Sequence, residues 1–214
     1  MIGKAFLLVI EGAIGVGKSS LAHIITKRLN ARLVEEEFEE NPFLEDFYRN
    51  SEQFAFQTQL WFLLSRYRQQ QELQQLDMFS PVLVTDYMFM KDRLFASLTL
   101  NDKELFLYDR LAGMLERDVA SPDLVIYLQS DTDRLMANIK QRGRDYESQI
   151  EYSYLDALNQ QYNEFFFRFE ACPLLIINTN DIDFVNNQGD LDEIMEFIRK
   201  PVAGTRFFNP ARSL

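Results

Sequence analysis

The sequence has few of the residues that stabilise small secreted proteins or bind transition metals. It contains one cysteine, Cys172, so no disulfide can form within the chain, and Cys172 is expected to pack as a small core hydrophobe. The single histidine, His23, leaves too few nitrogen and sulfur ligands for a transition-metal site. The first apolar run of the chain, Ala5 to Ile10, has six residues, whereas a membrane-spanning helix needs roughly 20. These absences exclude a disulfide-stapled secreted fold and predict a soluble, cytoplasmic chain without a membrane partner.

Basic residues are also scarce relative to acidic ones. The chain has 22 Lys and Arg against 33 Asp and Glu, a formal net charge of -11, which argues against nucleic acid as a partner. Its 214 residues, 47% of them hydrophobic, predict one domain with a substantial core. The patterned sequence stops after Lys200, so we expect a domain over residues 1–200 and an irregular tail over residues 201–214.

Five short apolar runs recur along the chain, each followed by polar residues and a helix-like stretch. They are Ala5 to Ile10, Leu33 to Val34, Val82 to Val84, Leu124 to Leu128 and Leu174 to Ile177. Strands that alternate with helices predict an α/β fold, here a five-stranded parallel sheet flanked by helices. Ligands of such sheets bind beyond the carboxyl ends of the strands, so functional residues should follow the strands.

Glycine is rare and unevenly distributed. Three of the eight glycines fall between residues 12 and 17, directly after the first predicted strand, and they match the phosphate-binding pattern GxxxxGK[ST]. Loop amides and the following helix N-terminus attract phosphate, Lys18 adds a full positive charge, and the Ser19 hydroxyl suits Mg²⁺. The predicted ATP-binding residues of this loop are Gly12, Ala13, Gly15, Val16, Gly17, Lys18, Ser19 and Ser20.

Carboxylates follow the second and third predicted strands. Asp86 comes directly after Val82 to Val84, where it could hold Mg²⁺ with Ser19; the alternative is a helix N-cap before Met88. An acidic run after the second strand could supply a general base for phosphoryl transfer to a hydroxyl, or could be a solvated loop. Its members are Glu35, Glu36, Glu37, Glu39 and Glu40.

Arginines flank a glycine at the end of a helix expected to begin after Ser130. The segment runs from Lys140 through Arg142 and Gly143 to Arg144. In a P-loop protein this composition is typical of a short lid that closes on phosphates, where Arg142 and Arg144 stabilise the transferred charge. Basic residues and glycine also end helices in the ordinary way, so both interpretations stand. The chain lacks the Asn-Lys-x-Asp pattern that GTPases need for guanine.

Taken in order, these motifs resemble those of the deoxynucleoside kinase family. The resemblance rests on the P-loop, the segment Glu36 to Leu44, Gln59 with Arg66, Asp86 with Asp92-Arg93, and Arg142-Gly143-Arg144. It covers about residues 5 to 198, almost the whole chain, and implies a P-loop kinase with an arginine-bearing lid. It further implies a homodimer whose small-molecule partners are a deoxynucleoside and a nucleoside triphosphate.

The resemblance also implies roles for individual residues. Glu36 is similar to the base that activates the 5′-hydroxyl, and Asp183 with Phe184 to the loop that contacts the adenine of ATP. The residues implied on the nucleoside side are Glu36, Tyr48, Gln59, Arg66, Tyr87, Asp92, Phe95 and Glu147. Tyr48 and Glu147 are similar to the pair at the 3′-hydroxyl, and Gln59 to the residue that reads the base.

Residue types alone leave alternatives for four of these residues. Gln59 could be a solvated helix residue like Gln57, and Tyr48 could be a packed amphipathic aromatic. Arg66 and Asp92 could form a surface ion pair of little consequence.

The sequence departs from the family pattern at two places. The family has Glu-Pro-Val around its base, whereas this chain has Glu36-Glu37-Phe38, which makes Glu37 a rival candidate. The family acid after the third strand is usually followed by an arginine, whereas here it is followed by Tyr87, and either Lys91 or Arg93 is a candidate replacement.

The resemblance therefore implies an ATP- and Mg²⁺-dependent deoxynucleoside 5′-kinase of nucleotide salvage. The segment from Glu39 to Leu44 is similar to that of bacterial purine enzymes, which favours deoxyadenosine and deoxyguanosine, with deoxycytidine as a further candidate substrate. Two alternatives are a nucleoside monophosphate kinase, which shares the P-loop and lid, and a nucleotide-binding regulatory protein without catalysis. The acidic run opposes the first alternative, because a monophosphate acceptor needs a basic site.

Overall fold

A six-stranded, fully parallel sheet forms the centre of the molecule. The computed structural model describes residues 5–76, 80–200 and 202–209, apart from the side chains of residues 74–76. The strands lie in the order β2-β3-β1-β4-β5-β6. Their bounds are β1 Phe6–Glu11, β2 Arg32–Val34, β3 Val82–Thr85, β4 Leu124–Gln129, β5 Leu174–Asn178 and β6 Thr205–Phe208. The predicted α/β class with a parallel sheet is confirmed, and each of the five predicted strands is present.

The sixth strand lies in the stretch for which we expected an irregular tail. β6 pairs in parallel with β5, with Leu174 opposite Thr205 and Ile177 opposite Phe208. It is an edge strand with exposed and half-buried residues in alternation, and Phe207 is 62% exposed. A half-solvated edge strand lacks the continuous apolar run that marks buried parallel strands, which is why the sequence pattern does not reveal it.

Eight α-helices connect and cover the strands in the described part of the chain. Their bounds are α1 Lys18–Leu29, α2 Leu44–Arg49, α3 Ser51–Leu76, α4 Asp92–Thr99, α5 Asp102–Leu115, α6 Thr132–Arg142, α7 Tyr152–Phe167 and α8 Gln188–Arg199. Short 3₁₀ turns at Phe38–Glu40, Phe89–Lys91 and Asp145–Gln149 follow β2, β3 and α6. Within the described ranges, no helix is long and apolar enough to span a membrane.

Two hydrophobic clusters hold these layers together. The larger surrounds the sheet, where the rings of Tyr127 on β4 and Phe166 on α7 stack with centroids 4.2 Å apart. Cys172 is half-buried against this cluster, as expected of a small apolar side chain, and burial raises the pKa of its thiol to about 11. The smaller cluster joins α3, α4 and α5 around Leu63 and Tyr108. This second cluster fixes α3 and α4 beside the carboxyl edge of the sheet.

The strand register brings the predicted functional segments to one edge. β1 lies between β3 and β4, with Val9 opposite Thr85 and Glu11 opposite Tyr127. β2 pairs with the far side of β3, with Val34 also opposite Thr85. Because these strands are parallel and end at similar heights, the P-loop, the acidic run and Asp86 all emerge at the same edge.

Candidate active site

The P-loop connects β1 to α1 in a conformation that only glycine permits at two positions. Gly12 and Gly15 have φ of 152° and 86°. A Cβ atom on Gly12 would lie 2.5 Å from the carbonyl oxygen of Leu128, and one on Gly15 would lie 2.7 Å from that of Leu135. The backbone therefore packs directly against β4 and α6, and any side chain at either position would displace it.

Lys18 at the start of α1 turns back over this loop. Its Nζ donates hydrogen bonds to the carbonyl oxygens of Gly12, at 2.8 Å, and Ala13, at 3.1 Å. Desolvation lowers the pKa of the Lys18 ammonium to about 8, and the nearby positive charge of Lys91 lowers it further against the pull of neighbouring carboxylates. An anionic ligand in the loop would relieve this unfavourable charge, as expected at a phosphate site.

Asp86 joins the P-loop to the acidic run. Its Oδ2 accepts a hydrogen bond from Ser19 Oγ at 2.5 Å, and its Oδ1 accepts one from the backbone N–H of Glu36 at 2.9 Å. The N-cap alternative is wrong, because the N-cap position of the turn Phe89–Lys91 that follows is Met88, and no side chain caps this turn. Asp86 instead aligns three segments that follow three different strands.

Glu36 is the carboxylate of the acidic run that faces the cleft. Its Oε1 accepts a hydrogen bond from Arg66 Nε at 2.7 Å, and its Oε2 accepts one from Lys91 Nζ at 2.7 Å. Burial opposes ionisation of Glu36, but Arg66 and Lys91 outweigh it and lower the pKa to about 2. Glu37 points to the surface instead, where it pairs with exposed Arg68. Glu36 therefore stays ionised across the physiological pH range.

Arg66 also binds Asp92, and this second ion pair lies in the interior. The side chains of Arg66 and Asp92 are 4% and 2% exposed, so the surface-pair alternative is wrong. The guanidinium lies 4.6 Å from the ring centre of Phe62. A buried pair of this kind is costly to break, because either partner left alone would be an unpaired buried charge. Arg66 thus links α3, α4 and Glu36.

The inner wall of the cleft carries Gln59, which is 2% exposed, whereas Gln57, two residues earlier and on the opposite face of α3, is exposed. The solvated alternative for Gln59 is therefore wrong. Its Nε2 donates to Thr99 Oγ1 at 3.3 Å, and no donor among the described residues reaches its Oε1. A buried amide oxygen without a partner is unfavourable, so this atom is free to bind a ligand. Phe95 lines the cleft beside it, with its ring edge towards Tyr162.

The lid segment closes the other side. Arg142 Nε and Nη2 donate to Glu147 at 3.0 and 2.6 Å, and Arg144 lies 3.5 Å from Glu147 Oε1. Gly143, with φ of 68°, ends α6 in the left-handed conformation, so the helix-end interpretation also holds. Tyr48 stacks on Tyr146 of the same segment, with ring centres 6.2 Å apart. Burial raises the pKa of Tyr48 well above its usual value.

Some predicted site residues do not line the cleft. Tyr87 is fully buried and lines a separate cavity with Gln70 and Met88. Phe184 is buried under the P-loop, where a Cβ on Gly17 would lie 2.9 Å from its ring. The Asp183 carboxylate turns into its own loop, where it accepts hydrogen bonds from the backbone N–H groups of Val185 and Asn186. Ser20 is exposed on α1, and Ala13 and Val16 pack as core residues.

Apart from Gly12, Gly17 and Asp92, the other predicted residues line one cleft. It also contains residues that sequence analysis did not assign to the site: Ile14, Phe38, Leu44, Phe47, Thr58, Phe62, Lys91, Tyr146 and Tyr154. Most are aromatic or apolar, and such residues are typical of a protein core. Their contact with the cleft depends on how α2, α3 and the lid pack, so the sequence does not reveal it. Lys91 had appeared only as one of two candidate cations.

Comparison with known proteins identifies this architecture. A family model described as deoxynucleoside kinase matches residues 8–203. The chain belongs to the deoxynucleoside kinase family. It is 33% identical to deoxyguanosine kinase of Bacillus subtilis (strain 168) over 205 residues, which cover 93% of this chain and 99% of that enzyme. It is 30% identical to deoxyadenosine/deoxycytidine kinase of the same organism, over 92% of this chain and 93% of that enzyme.

A solved structure shares the fold of this deoxynucleoside kinase family member. Deoxyadenosine kinase from M. mycoides with bound dATP superimposes with a TM-score of 0.80 and 25% identity, covering 91% of this chain and 100% of the other. Membership of the family makes the chain an enzyme that phosphorylates deoxynucleosides. The resemblance inferred from the motif order is confirmed, and the nucleoside monophosphate kinase alternative is not supported.

Proposed function

We propose that the chain transfers the γ-phosphoryl group of ATP to the 5′-hydroxyl of deoxyadenosine and deoxyguanosine, with deoxycytidine as a further substrate, in cytoplasmic nucleotide salvage. The observation that carries this proposal is the position of Glu36. It is an ionised, cation-held carboxylate in the same cleft as the P-loop residues Lys18 and Ser19. A hydroxyl acceptor needs such a group, whereas a monophosphate acceptor would need a basic site instead.

At the acceptor end, Glu36 accepts the proton of the 5′-hydroxyl as its oxygen attacks the γ-phosphorus. The bond between that phosphorus and the β–γ bridging oxygen breaks, and ADP leaves. A carboxylate of low pKa suffices as the base, because the hydroxyl loses its proton as the new bond forms. Tyr48 and Glu147, which face the same space from α2 and the lid, are suited to hold the 3′-hydroxyl.

At the donor end, Lys18 and the P-loop amides bind the β- and γ-phosphates, and Arg142 and Arg144 neutralise the moving group from the lid. Both arginines form ion pairs with Glu147, so the lid and the proposed sugar site share one carboxylate. Phe184 supports the P-loop from below near Gly17, and its loop with Asp183 is the proposed contact for the adenine.

The donor end fits Mg²⁺. Ser19 Oγ and Asp86 Oδ2 already converge to 2.5 Å, and hydroxyl and carboxylate oxygens are the ligands that Mg²⁺ prefers. When bound, the ion would neutralise charge on the β- and γ-phosphates. Ser19 and Asp86 would hold it, and Asp86 would continue to orient Glu36 through the backbone N–H.

Gln59 is the residue that we propose contacts the base, and the relatives indicate which bases are preferred. An amide presents one acceptor and two donors, so Gln59 can pair with the edge of a purine through its free Oε1 and its Nε2. The relatives include enzymes named deoxyguanosine kinase and deoxyadenosine/deoxycytidine kinase. The names of the relatives favour purine deoxynucleosides with deoxycytidine as a further substrate, and the Gln59 amide is compatible with either type of base.

We also propose a homodimer that forms through α3 and α5. These helices pack together, and their outer faces carry Leu64, Phe106, Leu107 and Met114, each between 48% and 72% exposed. A group of large apolar side chains on adjoining helices is typical of a buried interface. A second copy of the chain is the partner that the family resemblance implies.

An ADP-release assay with Mg²⁺ and ATP tests the proposed function. Each deoxynucleoside and each deoxynucleoside monophosphate is offered separately. Turnover with deoxyadenosine and deoxyguanosine at higher kcat/KM than with thymidine is the expected result. A preference for thymidine would contradict the purine assignment, and turnover with monophosphates alone would contradict the role of Glu36. ATP binding without any turnover would favour the regulatory alternative.

A further inference from the structure

Lys91 is a buried cation within the catalytic cleft. It ends the 3₁₀ turn Phe89–Lys91 that follows β3, and its side chain is 3% exposed. The side chain nevertheless lines the cleft together with Lys18 and Ser19. Burying an ammonium group is expensive unless it is paired, so its partners indicate why it is there.

Two carboxylates from different strands face the Lys91 ammonium. Glu36 Oε2, after β2, accepts its hydrogen bond at 2.7 Å, and Glu11 Oε1, at the end of β1, lies 3.9 Å away. Glu11 is fully buried, and its carboxylate oxygens accept hydrogen bonds from other donors. The backbone N–H of Met88 donates to its Oε1 at 2.7 Å, and the N–H of Gly12 donates to its Oε2 at 3.1 Å. Glu36 is therefore the closer and more direct partner.

The two cations that contact Glu36 bind different oxygens of its carboxylate. Arg66 from α3 binds Oε1 but is shared with Asp92 from α4, whereas Lys91 is the donor to Oε2 among the described residues. Asp86 reaches only the backbone of Glu36, and Lys18, Glu11 and Tyr87 act on this cluster through their charge or polarity. Burial raises the pKa of Glu11, and the charge of Lys91 acts in the opposite direction.

Arg93, the other cation near this position, has different surroundings. Its side chain is 67% exposed on α4 and forms two hydrogen bonds with Asp109, at 2.9 and 3.1 Å. It lies outside the cleft, although it is only two residues from Lys91. The two residues therefore suit a controlled comparison, because both are positively charged and lie two positions apart, but only Lys91 contacts the site.

We infer that Lys91 is a positioning residue for phosphoryl transfer, whose ammonium fixes Glu36 Oε2 and keeps the carboxylate aimed into the cleft. With Oε2 held by Lys91 and Oε1 by Arg66, the carboxylate plane cannot rotate away from the incoming hydroxyl. This inference rests on the proposed function, because it assigns Glu36 the role of base.

The test compares Lys91→Met, Lys91→Arg and the matched control Arg93→Met. We expect kcat of Lys91→Met with deoxyadenosine or deoxyguanosine to fall about 100-fold, the loss typical of a misplaced catalytic group, with KM for ATP changed less than about threefold. Lys91→Arg should recover at least about tenfold of this loss, because the charge remains. Arg93→Met should stay within about twofold of wild type.

Two readouts separate positioning from a purely structural role. The first is the split between kcat and binding: a misplaced carboxylate slows the chemical step, while the calorimetric affinity of Lys91→Met for the deoxynucleoside stays within about threefold of wild type. The second is the recovery of kcat in Lys91→Arg, which restores the charge beside Glu36 Oε2. Thermal melting measures the loss of stability separately.

Each outcome decides between the interpretations. If Lys91→Met keeps wild-type kcat, or if Lys91→Arg recovers none of the lost kcat, the positioning role is wrong. If wild type phosphorylates no deoxynucleoside, the proposed function is wrong, whereas an active wild type beside an equally active Lys91→Met overturns the positioning role alone.

Discussion

The hydroxyl of Ser19 lies 2.5 Å from Oδ2 of Asp86, and this contact joins the start of α1 to the end of β3. The pairing of Val9 with Thr85 aligns the two strand ends and so makes the contact geometrically available. Asp86 Oδ1 in turn accepts the N–H of Glu36, so one carboxylate sets the distance between the phosphate loop and the proposed base. The proposed metal site and the acceptor site are therefore mechanically linked.

Replacing Asp86 with Asn should weaken both sides of this link. We expect kcat of Asp86→Asn to fall about 100-fold and the Mg²⁺ concentration for half-maximal activity to rise about tenfold, because an amide is a poorer ligand for a hard cation. Steady-state kinetics over a Mg²⁺ series measures both quantities. Asp102→Asn, at an exposed position in the first turn of α5, is the control. An unchanged Mg²⁺ requirement in Asp86→Asn would contradict the assignment.

Gln59 and Gln57 provide a test of base reading. Gln59→Leu removes the amide from the cleft, so we expect KM for the preferred deoxynucleoside to rise about 10- to 100-fold while KM for ATP stays constant. Gln57→Leu, two residues earlier on α3 at an exposed position, should change neither value. Equal effects of the two substitutions would show that the helix surface, rather than the buried amide, matters for substrate binding.

Glu36 faces the cleft and Glu37 faces the surface, so substitutions at the two positions should affect activity differently. Glu36→Gln keeps the shape but removes the proton acceptor, so we expect kcat to fall about 10²- to 10⁴-fold. Glu37→Gln breaks a surface contact with Arg68 and should change kcat less than about threefold. Calorimetry of nucleoside binding to Glu36→Gln checks that the cleft still forms. Near-normal turnover of Glu36→Gln would exclude it as the base.

The pKa of Lys18 near 8 predicts a pH effect on donor binding. As pH rises through about 8, the free enzyme loses the ammonium charge that binds phosphates, so KM for ATP should increase above this pH. The bound triphosphate favours the charged form, so kcat should change less than KM. Initial rates between pH 7 and pH 9.5, at saturating deoxynucleoside, measure the effect, with KM for the deoxynucleoside as the internal reference. A KM for ATP that is flat across this range would contradict the prediction.

The exposed apolar face of α3 and α5 predicts the oligomeric state. Phe106→Asp places a charge at this face, so we expect a monomer where wild type is a dimer, measured by light scattering after gel filtration. Phe167→Asp is the control, because Phe167 is 83% exposed on α7, outside α3 and α5. Dimers of both variants would exclude this face as the interface.

The sequence determined those features that depend on neighbouring residues alone. The P-loop is a contiguous pattern between a strand and a helix, and buried parallel strands are continuous apolar runs, so both can be identified locally. The order of the motifs along the chain was enough to indicate the family. The edge strand β6 was missed because half-solvated residues carry no such pattern.

Only the tertiary structure decided between chemically similar residues one or two positions apart. Glu36 rather than Glu37, Gln59 rather than Gln57, and Lys91 rather than Arg93 face the cleft. Burial and charged partners make these choices, and the partners come from α3, from the turn after β3 and from the end of β1. Chain segments far apart in sequence meet only when the sheet register and helix packing are set, so spacing along the chain cannot reveal which side chain of each pair turns inward.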